Sequence, residues 1–386
     1  MRILFISSGN IWGGGSVALF NIVKGLKNKG HQVLVATGDI DGPLLFKLKE
    51  IDCPYIQMRM VSSIYPTTKS PYRYVRELIA GLYHGYKTKK RLKGLINGFK
   101  PDIVHTNVSL ISIAADICYE KKIPHVWHIR EYQKIGLGVK YFPADLVFQR
   151  KIRRHGNFNI AITKGVFDYY QLRDGIDRVI YDGVFSKELQ KHTEENAKKN
   201  IVLFAGRVQE AKGTIDAIKA FSFISKSFEN YRLEIAGSYD IESSYYKQCC
   251  AFLKDNCLED KVVFLGDRRD IYQLMARSKM LVVPSRCEGF GFITAEAMAN
   301  KCLVIGRNTG GTKEQFDNGL KLFGTEIAYR FTTIEELIEA MQKAIEVDNS
   351  NMIEKAYQTV FSLYCTEQSV DNVESFYKKI LECPPV

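Results

Sequence analysis

Two acids, Glu288 and Glu296, stand in the segment Ser285-Arg286-Cys287-Glu288-Gly289-Phe290-Gly291-Phe292-Ile293-Thr294-Ala295-Glu296. A carboxylate is a bidentate acceptor, so each acid suits the paired hydroxyls of a ribose or a hexose. Gly289 and Gly291 have no side chain to hold a ligand away from the backbone, as at a phosphate or sugar site. Upstream, Arg207 and Lys212 lie in AGRVQEAKGT. Arg207 ends an apolar run, and Lys212-Gly213 opens a helical one. Two cations and a helix N-terminus at one strand end suit a phosphate. The P-loop spacing is absent. Each feature also has an ordinary structural reading, as a capping acid or as solvated loop cations. Their occurrence together favours a ligand.

The N-terminal half carries a second set. Gly13-Gly14-Gly15-Ser16 joins a strand to a helix. Its spacing is not G-x-G-x-x-G, and Asp39 and Asp41 come late for a ribose acid, so a dinucleotide site is disfavoured. His105-Thr106-Asn107 and His128-Ile129-Arg130-Glu131 end two apolar runs. A lone strand-end histidine is usually structural, but Arg130 and Glu131 beside His128 favour an active-site reading. Lys164 follows NIAIT in a similar place and is a weaker candidate.

These residues need strands to end beneath them and helices to begin beside them. RILFIS (2–7), the helical run after Ser16 closing on Gly30, and QVLVAT (32–37) form a β-α-β opening, which predicts a parallel sheet. DIVHTN (102–107), a helix over 108–121, HVWHIR (125–130), NIAIT (159–163) and VIYDGV (179–184) extend it. SKELQKHTEENAKKN (186–200) has no apolar period and reads as a linker. Strands then recur at 201–208, 231–237, 261–266, 280–285 and 303–307, with helices at 213–227, 243–255, 270–278, 292–300, 333–347 and 351–363. A last amphipathic helix spans 366–382. The predicted architecture is two tandem Rossmann-like α/β domains, 1–185 and 201–365, facing across a cleft, with 366–386 crossing back to the first. Ligands in such sheets bind beyond the carboxyl ends of the strands. At 386 residues the chain exceeds the usual limit of a single core.

Charge is uneven. Residues 1–185 hold 28 Lys and Arg against 14 Asp and Glu, whereas the remainder is slightly acidic. Residues 71–100 concentrate Arg73, Arg76, Lys87, Lys89, Lys90, Arg91, Lys93 and Lys100 against Glu77 alone, interleaved with Tyr72, Tyr74, Leu78, Leu82, Tyr83, Tyr86, Leu92 and Leu95. A basic amphipathic helix of this kind suits an anionic membrane surface, and Arg150, Lys151, Arg153 and Arg154 add a second cluster. A solvated helix face is the competing reading. No nucleic-acid motif accompanies the charge, so no nucleic-acid partner is expected. The nine cysteines lack metal or disulfide spacing. No run reaches the ~20 apolar residues of a membrane span. A cytoplasmic protein, at most peripheral on the inner membrane face, is expected.

The pattern E-x7-E after Pro-Ser, with Gly-Phe-Gly inside it, resembles the signature of glycosyltransferase family four. GR-x4-KG (207–213), VIYDGV and NTGGTKE (308–314) stand where that family has related elements, so the resemblance spans essentially the whole chain. It implies the GT-B fold and retaining transfer of a hexosyl unit from a nucleotide-diphospho-sugar, with UDP favoured. The acceptor would be a saccharide, plausibly lipid-linked, in surface polysaccharide synthesis. Arg207 and Lys212 would hold the diphosphate without a metal, and Glu288 the sugar. Phe290 and Gly291 would offer backbone N–H groups, with Phe292 beside them. Glu296 would bind the ribose, and the base would lie near Gly266 and Arg268. Gly14 and Gly15 would face donor phosphates or acceptor, and His128 the reacting sugar. Asp182 stands where the family usually has Asn, and Thr312 where Pro is common. Competing readings are a sugar-nucleotide epimerase of the same architecture, a nicotinamide-dependent oxidoreductase and a non-catalytic binding subunit.

Overall fold

The computed structural model describes residues 1–186 and 197–382. It resolves into two compact units, Met1–Gly183 with Thr366 onward, and Val184–Cys365. The boundary falls just before the predicted one because Val184 N–H donates to Tyr364 O at 2.9 Å within the second unit. Most of the predicted linker, 187–196, lies outside the described residues, and its last two residues already belong to a strand.

The first unit is a seven-stranded parallel sheet. Its strands are β1 (Arg2–Ile6), β2 (Gln32–Thr37), β3 (Tyr55–Gln57), β4 (Ile103–Thr106), β5 (His125–Ile129), β6 (Asn157–Ala161) and β7 (Arg178–Val179), in the order β3-β2-β1-β4-β5-β6-β7. The interposed helices are α1 (Gly14–Asn28), α2 (Pro43–Glu50), α3 (Pro71–Phe99), α4 (Ile113–Lys121), α5 (Asp145–Ile152) and α6 (Lys164–Tyr169). Strands β4 and β5 are buried at every position and β1 at all but its first, because helices cover both faces. Strand β7 stops at Val179, short of the predicted 184, and Asp182 lies in the segment beyond it.

The second unit is a six-stranded parallel sheet of β8 (Lys199–Ala205), β9 (Arg232–Ala236), β10 (Val262–Gly266), β11 (Ser278–Val283), β12 (Leu303–Arg307) and β13 (Tyr329–Phe331), ordered β10-β9-β8-β11-β12-β13. Its helices are α7 (Thr214–Ser227), α8 (Ser244–Asp255), α9 (Ile271–Arg277), α10 (Phe292–Ala299), α11 (Gly310–Phe323), α12 (Ile334–Glu346) and α13 (Ser350–Leu363).

The last helix, α14 (Thr366–Glu382), belongs to the first unit. Val370, Val373, Phe376, Tyr377 and Ile380 enter the same core as Ile3, Phe5, Leu19 and Ile22. Burying each large side chain stabilises by about 1.5–3 kcal/mol before entropy. Lys29 adds ion pairs at 2.7 Å to both Asp371 and Glu374. In each sheet the strand order reverses at one place, between β1 and β4 and between β8 and β11. Crevices for ligands open at such switch points.

Candidate active site

The second unit builds its site on the β8 and β11 loops, which leave the switch point together. Gly206 and Val208 are bonded by their N–H groups to Ala236 and Ser238, at 2.8 and 3.0 Å. Arg207 between them is therefore fixed at the backbone, while its side chain is exposed and has no ion pair among the described residues. Lys212 closes a single 3-10 turn, Glu210–Lys212. Gly213 follows at φ 70°, where a Cβ would stand 2.5 Å from the Pro284 carbonyl oxygen. Only glycine lets the start of α7 pass so close to the end of β11. The result carries Lys212 across to the second loop, with Nζ 2.6 Å from Glu288 Oε1.

The Glu288–Gly291 loop is clamped by the start of α11. Gly311 N–H donates to Glu288 O at 2.8 Å. The Gln315 amide nitrogen donates to the carbonyls of Phe290 at 2.7 Å and Gly291 at 3.0 Å. The Phe290 ring is buried against Phe292 and Tyr364, with ring centres 5.4 and 5.2 Å away. It anchors the loop while Gly291, at φ 86°, turns the chain into α10. The N–H groups of that first turn are the anion-binding element expected of a helix start. Thr312, at the position where Pro is common, places Oγ1 3.1 Å from Thr294 Oγ1 and ties α11 to α10.

Glu296 lies in the second turn of α10 and is half-buried. Burial pushes its carboxyl up to about 7, against the hydrogen bond that Tyr272 Oη donates at 3.3 Å. Gly266 ends β10 at φ 68°, and its carbonyl accepts from Gly237 N–H at 2.8 Å. Arg268 is turned onto Asp270, with two contacts of 2.8 and 2.6 Å. Tyr272, Gln315 and Arg307 were not legible from spacing. Arg307 bridges Pro284 O at 3.1 Å and Asp216 at 2.7 Å, bracing both loops from behind.

The first unit gathers its strand-end residues at its own switch point. Helix α1 begins at Gly14, two residues before the predicted Ser16, so Gly14 and Gly15 are inside its first turn. The Asn107 amide donates to Gly15 O at 3.0 Å, and its oxygen accepts from Arg130 Nε at 3.0 Å. Arg130 then pairs with Asp182 and donates to His128 Nδ1 at 3.1 Å. All four side chains are buried. With Nδ1 accepting, the His128 proton belongs on Nε2. Burial, then Arg130, then His105 hold this imidazole well below its ordinary value. Neutral His128 is therefore a hydrogen-bond donor rather than a base. His128 Nε2, His105 Nε2 and Asp182 Oδ2 are buried without a hydrogen-bond partner. Asp182, whose role the sequence left open, is the counter-charge of Arg130. Burial raises its carboxyl and Arg130 opposes that rise.

Glu131 turns away from this set. It accepts from Ser109 N–H at 2.9 Å and from the Ser109 hydroxyl, in a buried group with Tyr141 and Tyr170. Burial raises its carboxyl. Lys164 is spent on Asp168 at 2.7 Å.

Comparison with known proteins places this geometry. Residues 12–186 match the profile described as Glycosyltransferase Family 4, and residues 185–359 match Glycosyl transferases group 1. The chain is a family-four glycosyltransferase. It is similar to N-acetyl-alpha-D-glucosaminyl L-malate synthase of Bacillus anthracis, 24% identical over 53% of this chain and 52% of that protein. It also resembles the capsular polysaccharide biosynthesis glycosyltransferase CapM of Staphylococcus aureus, 28% identical over 40% of each. The chain thus spans about half the length of these curated relatives or less. The crystal structure of Anabaena Alr3699/HepE in complex with UDP and glucose aligns over 98% of this chain and 99% of that one, at 19% identity and TM-score 0.74. The fold of this family-four enzyme is accordingly GT-B, two Rossmann-like domains.

Proposed function

We propose that this enzyme transfers a hexosyl unit from a UDP-hexose to a saccharide acceptor, with retention of anomeric configuration. The observation that carries the reading is the Lys212–Glu288 contact beside the unpaired Arg207, at the switch point of the second unit. Arg207 and Lys212 supply positive charge to the diphosphate, which becomes more negative as it leaves. That charge makes a metal ion unnecessary in the proposed mechanism. Glu288 accepts from the donor sugar's hydroxyls, and Glu296 accepts from the ribose. His128 offers its Nε2–H as a donor to a sugar oxygen. The acceptor attacks on the face from which the diphosphate departs, through an oxocarbenium-like state, so Glu288 is a sugar binder and forms no covalent adduct. UDP is favoured because the HepE structure holds UDP and glucose. CapM's printed role supports a surface-polysaccharide product; a lipid-linked acceptor at the inner membrane face is the further part of this proposal.

The test is a panel of UDP-, GDP- and ADP-sugars scored by thermal shift and slow hydrolysis, with and without chelator. Selective stabilisation by one UDP-hexose, insensitive to chelator, is expected. The reading falls if no nucleotide sugar binds, if turnover needs a metal, or if an epimerised donor accumulates without acceptor. NMR of the product's anomeric proton decides retention, and a trapped glycosyl ester on Glu288 would overturn the sugar-binder role.

A further inference from the structure

Helix α3 has two apolar faces, and only one of them meets the core. Its buried residues are Thr88, Leu92 and Ile96, all in its C-terminal half. Between residues 72 and 86, Tyr72, Val75, Ile79, Leu82, Tyr83 and Tyr86 are exposed by 76, 54, 62, 57, 54 and 72%. At about 100° per residue these six fall within an arc of roughly 100° and a length of about 21 Å. The arc is centred about 130° around the helix from Leu92 and borders the face that carries Ile96. Single exposed apolar residues are normal, but a continuous helical stripe of six marks an interaction surface.

The charges around the stripe select its partner. Arg73, Arg76, Lys87, Lys90 and Arg91 have no ion pair among the described residues, whereas Lys89 and Lys93 are both engaged by Glu120. Lys87 Nζ lies 4.3 Å from the Tyr83 ring centre, so cation and aromatic share one edge. Glu77, the helix's only acid, is on the opposite side of the helix, and the flank between it and the stripe lines a cavity of about 310 Å³ with Val61, Ile64, Tyr65 and Phe142. Leu82 also lines that cavity, which extends the apolar surface inward from the stripe. Tyrosines suit the boundary between headgroups and acyl chains, and basic residues suit anionic headgroups. A second copy of the same face would set the five cations against one another.

We propose that the exposed face of α3, residues 72–91, docks on an anionic lipid bilayer. The reading of a lipid-linked acceptor gives this face its purpose, and to that extent the proposal rests on it. Three of the four cations of the second basic cluster are engaged elsewhere. Lys151 and Arg154 pair with Asp116 at 2.7 and 3.3 Å, and Arg153 donates to the carbonyls of Tyr170 and Gln171 at 3.1 Å. These cations hold the first unit together instead of facing a headgroup layer. No helix among the described residues is long and apolar enough to cross a membrane.

The experiment is sedimentation of the full chain with phosphatidylcholine vesicles, with and without phosphatidylglycerol, at low and high salt. Binding to the mixed vesicles alone, weakened by salt, is expected. Arg76→Glu with Lys90→Glu should weaken it more than tenfold, since each surface cation is worth about fivefold. Val75→Ser with Ile79→Ser should weaken it comparably, while Phe223→Ser, an exposed apolar change in the second unit, should not. Circular dichroism and slow donor hydrolysis should be unchanged in all three. Equal binding to neutral vesicles, no binding, or binding indifferent to both double variants overturns the proposal. So does concentration-dependent dimerisation that Val75→Ser with Ile79→Ser abolishes, since a second copy would then cover the stripe. If vesicles bind as expected but no lipid-linked saccharide accepts sugar, the acceptor reading fails and the docking surface stands.

Discussion

Lys212 Nζ lies 2.6 Å from Glu288 Oε1, so the cation assigned to the diphosphate is neutralised by the carboxylate assigned to the sugar. In the proposed function a donor replaces that pairing by presenting its own anion to Lys212 and hydroxyl donors to Glu288. The two residues should therefore respond differently to mutation. Lys212→Ala removes a charge-assisted contact to the nucleotide and should weaken UDP binding by about 10–100-fold. Glu288→Gln releases Lys212, so UDP should bind as well as before or better. Transfer should nonetheless fall by at least about a hundredfold, because an amide is a poorer acceptor for sugar hydroxyls. Calorimetry with UDP and turnover with the UDP-sugar separate the effects. Parallel losses in both assays for Glu288→Gln would mean that it supports the loop and does not grip the sugar.

The Arg130–Asp182 pair is buried, with Arg130 also bound to Asn107 and His128. Removing one partner of a buried pair leaves an uncompensated charge, at a cost of about 3–5 kcal/mol. Asp182→Ala should lower stability by that order in urea titrations. Asp182→Asn, which keeps an acceptor for the guanidinium, should lose clearly less. Arg130→Met with Asp182→Ala should recover part of the loss, because neither charge then remains. If the double variant is no better than Asp182→Ala, the pair is not what makes Asp182 necessary.

Strand-end placement was legible in the sequence because buried parallel strands are apolar runs that stop abruptly at polar residues. That logic located Arg207, His128 and Arg130 at the ends of their strands, and Lys212 and Glu288 in the loops that follow. Both glycine-bearing loops proved to leave switch points, an order of strands that no local pattern carries. Partnerships were less legible. The Asp182–Arg130 pair joins residues 52 positions apart, and Gln315 clamps a loop 25 positions upstream. Strand β7 was overextended because Ile180 and Val184 are buried like strand residues, although the ladder ends at Val179. The basic runs 71–100 and 150–154 looked alike in sequence. Only neighbouring Asp116 and Glu120, and the side of α3 that meets the core, decide which cations stay outside.

If Glu296 binds the donor's ribose as proposed, donor binding depends on pH. Its carboxyl is held at about 7 by burial, above the ordinary 4.5. A raised acid contributes stability that is fully present below about 4.5 and lost as pH rises through about 7. For ligand binding the direction is reversed, since the ionised form is the better acceptor for ribose hydroxyls. Affinity for a UDP-sugar should therefore rise between about pH 6 and 8, and Glu296→Gln should flatten the curve. The intact nucleotide sugar is the right probe, because free UDP has a phosphate group that itself titrates near pH 6. A curve of unchanged slope in Glu296→Gln would assign the titration elsewhere.

The start of α11 sets the shape of the Glu288–Gly291 loop through two glycines. A Cβ at Gly311 would stand 2.2 Å from Phe290 O, and one at Gly310 would stand 2.5 Å from Glu288 O at φ 54°. Both obstacles are backbone, so a side chain there can be admitted only by moving the loop or the helix. The Glu288 carboxylate and the start of α10 move with that loop. Gly311→Ala should therefore weaken donor binding by about tenfold or more and cost roughly 1–3 kcal/mol of stability. Gly324→Ala is the comparison, since it also has positive φ, 67°, but meets nothing within 4 Å. It should destabilise through backbone strain alone and leave donor affinity unchanged. Equal loss of donor affinity in the two variants would show that α11 stability, and not the clearance beneath the loop, governs the site.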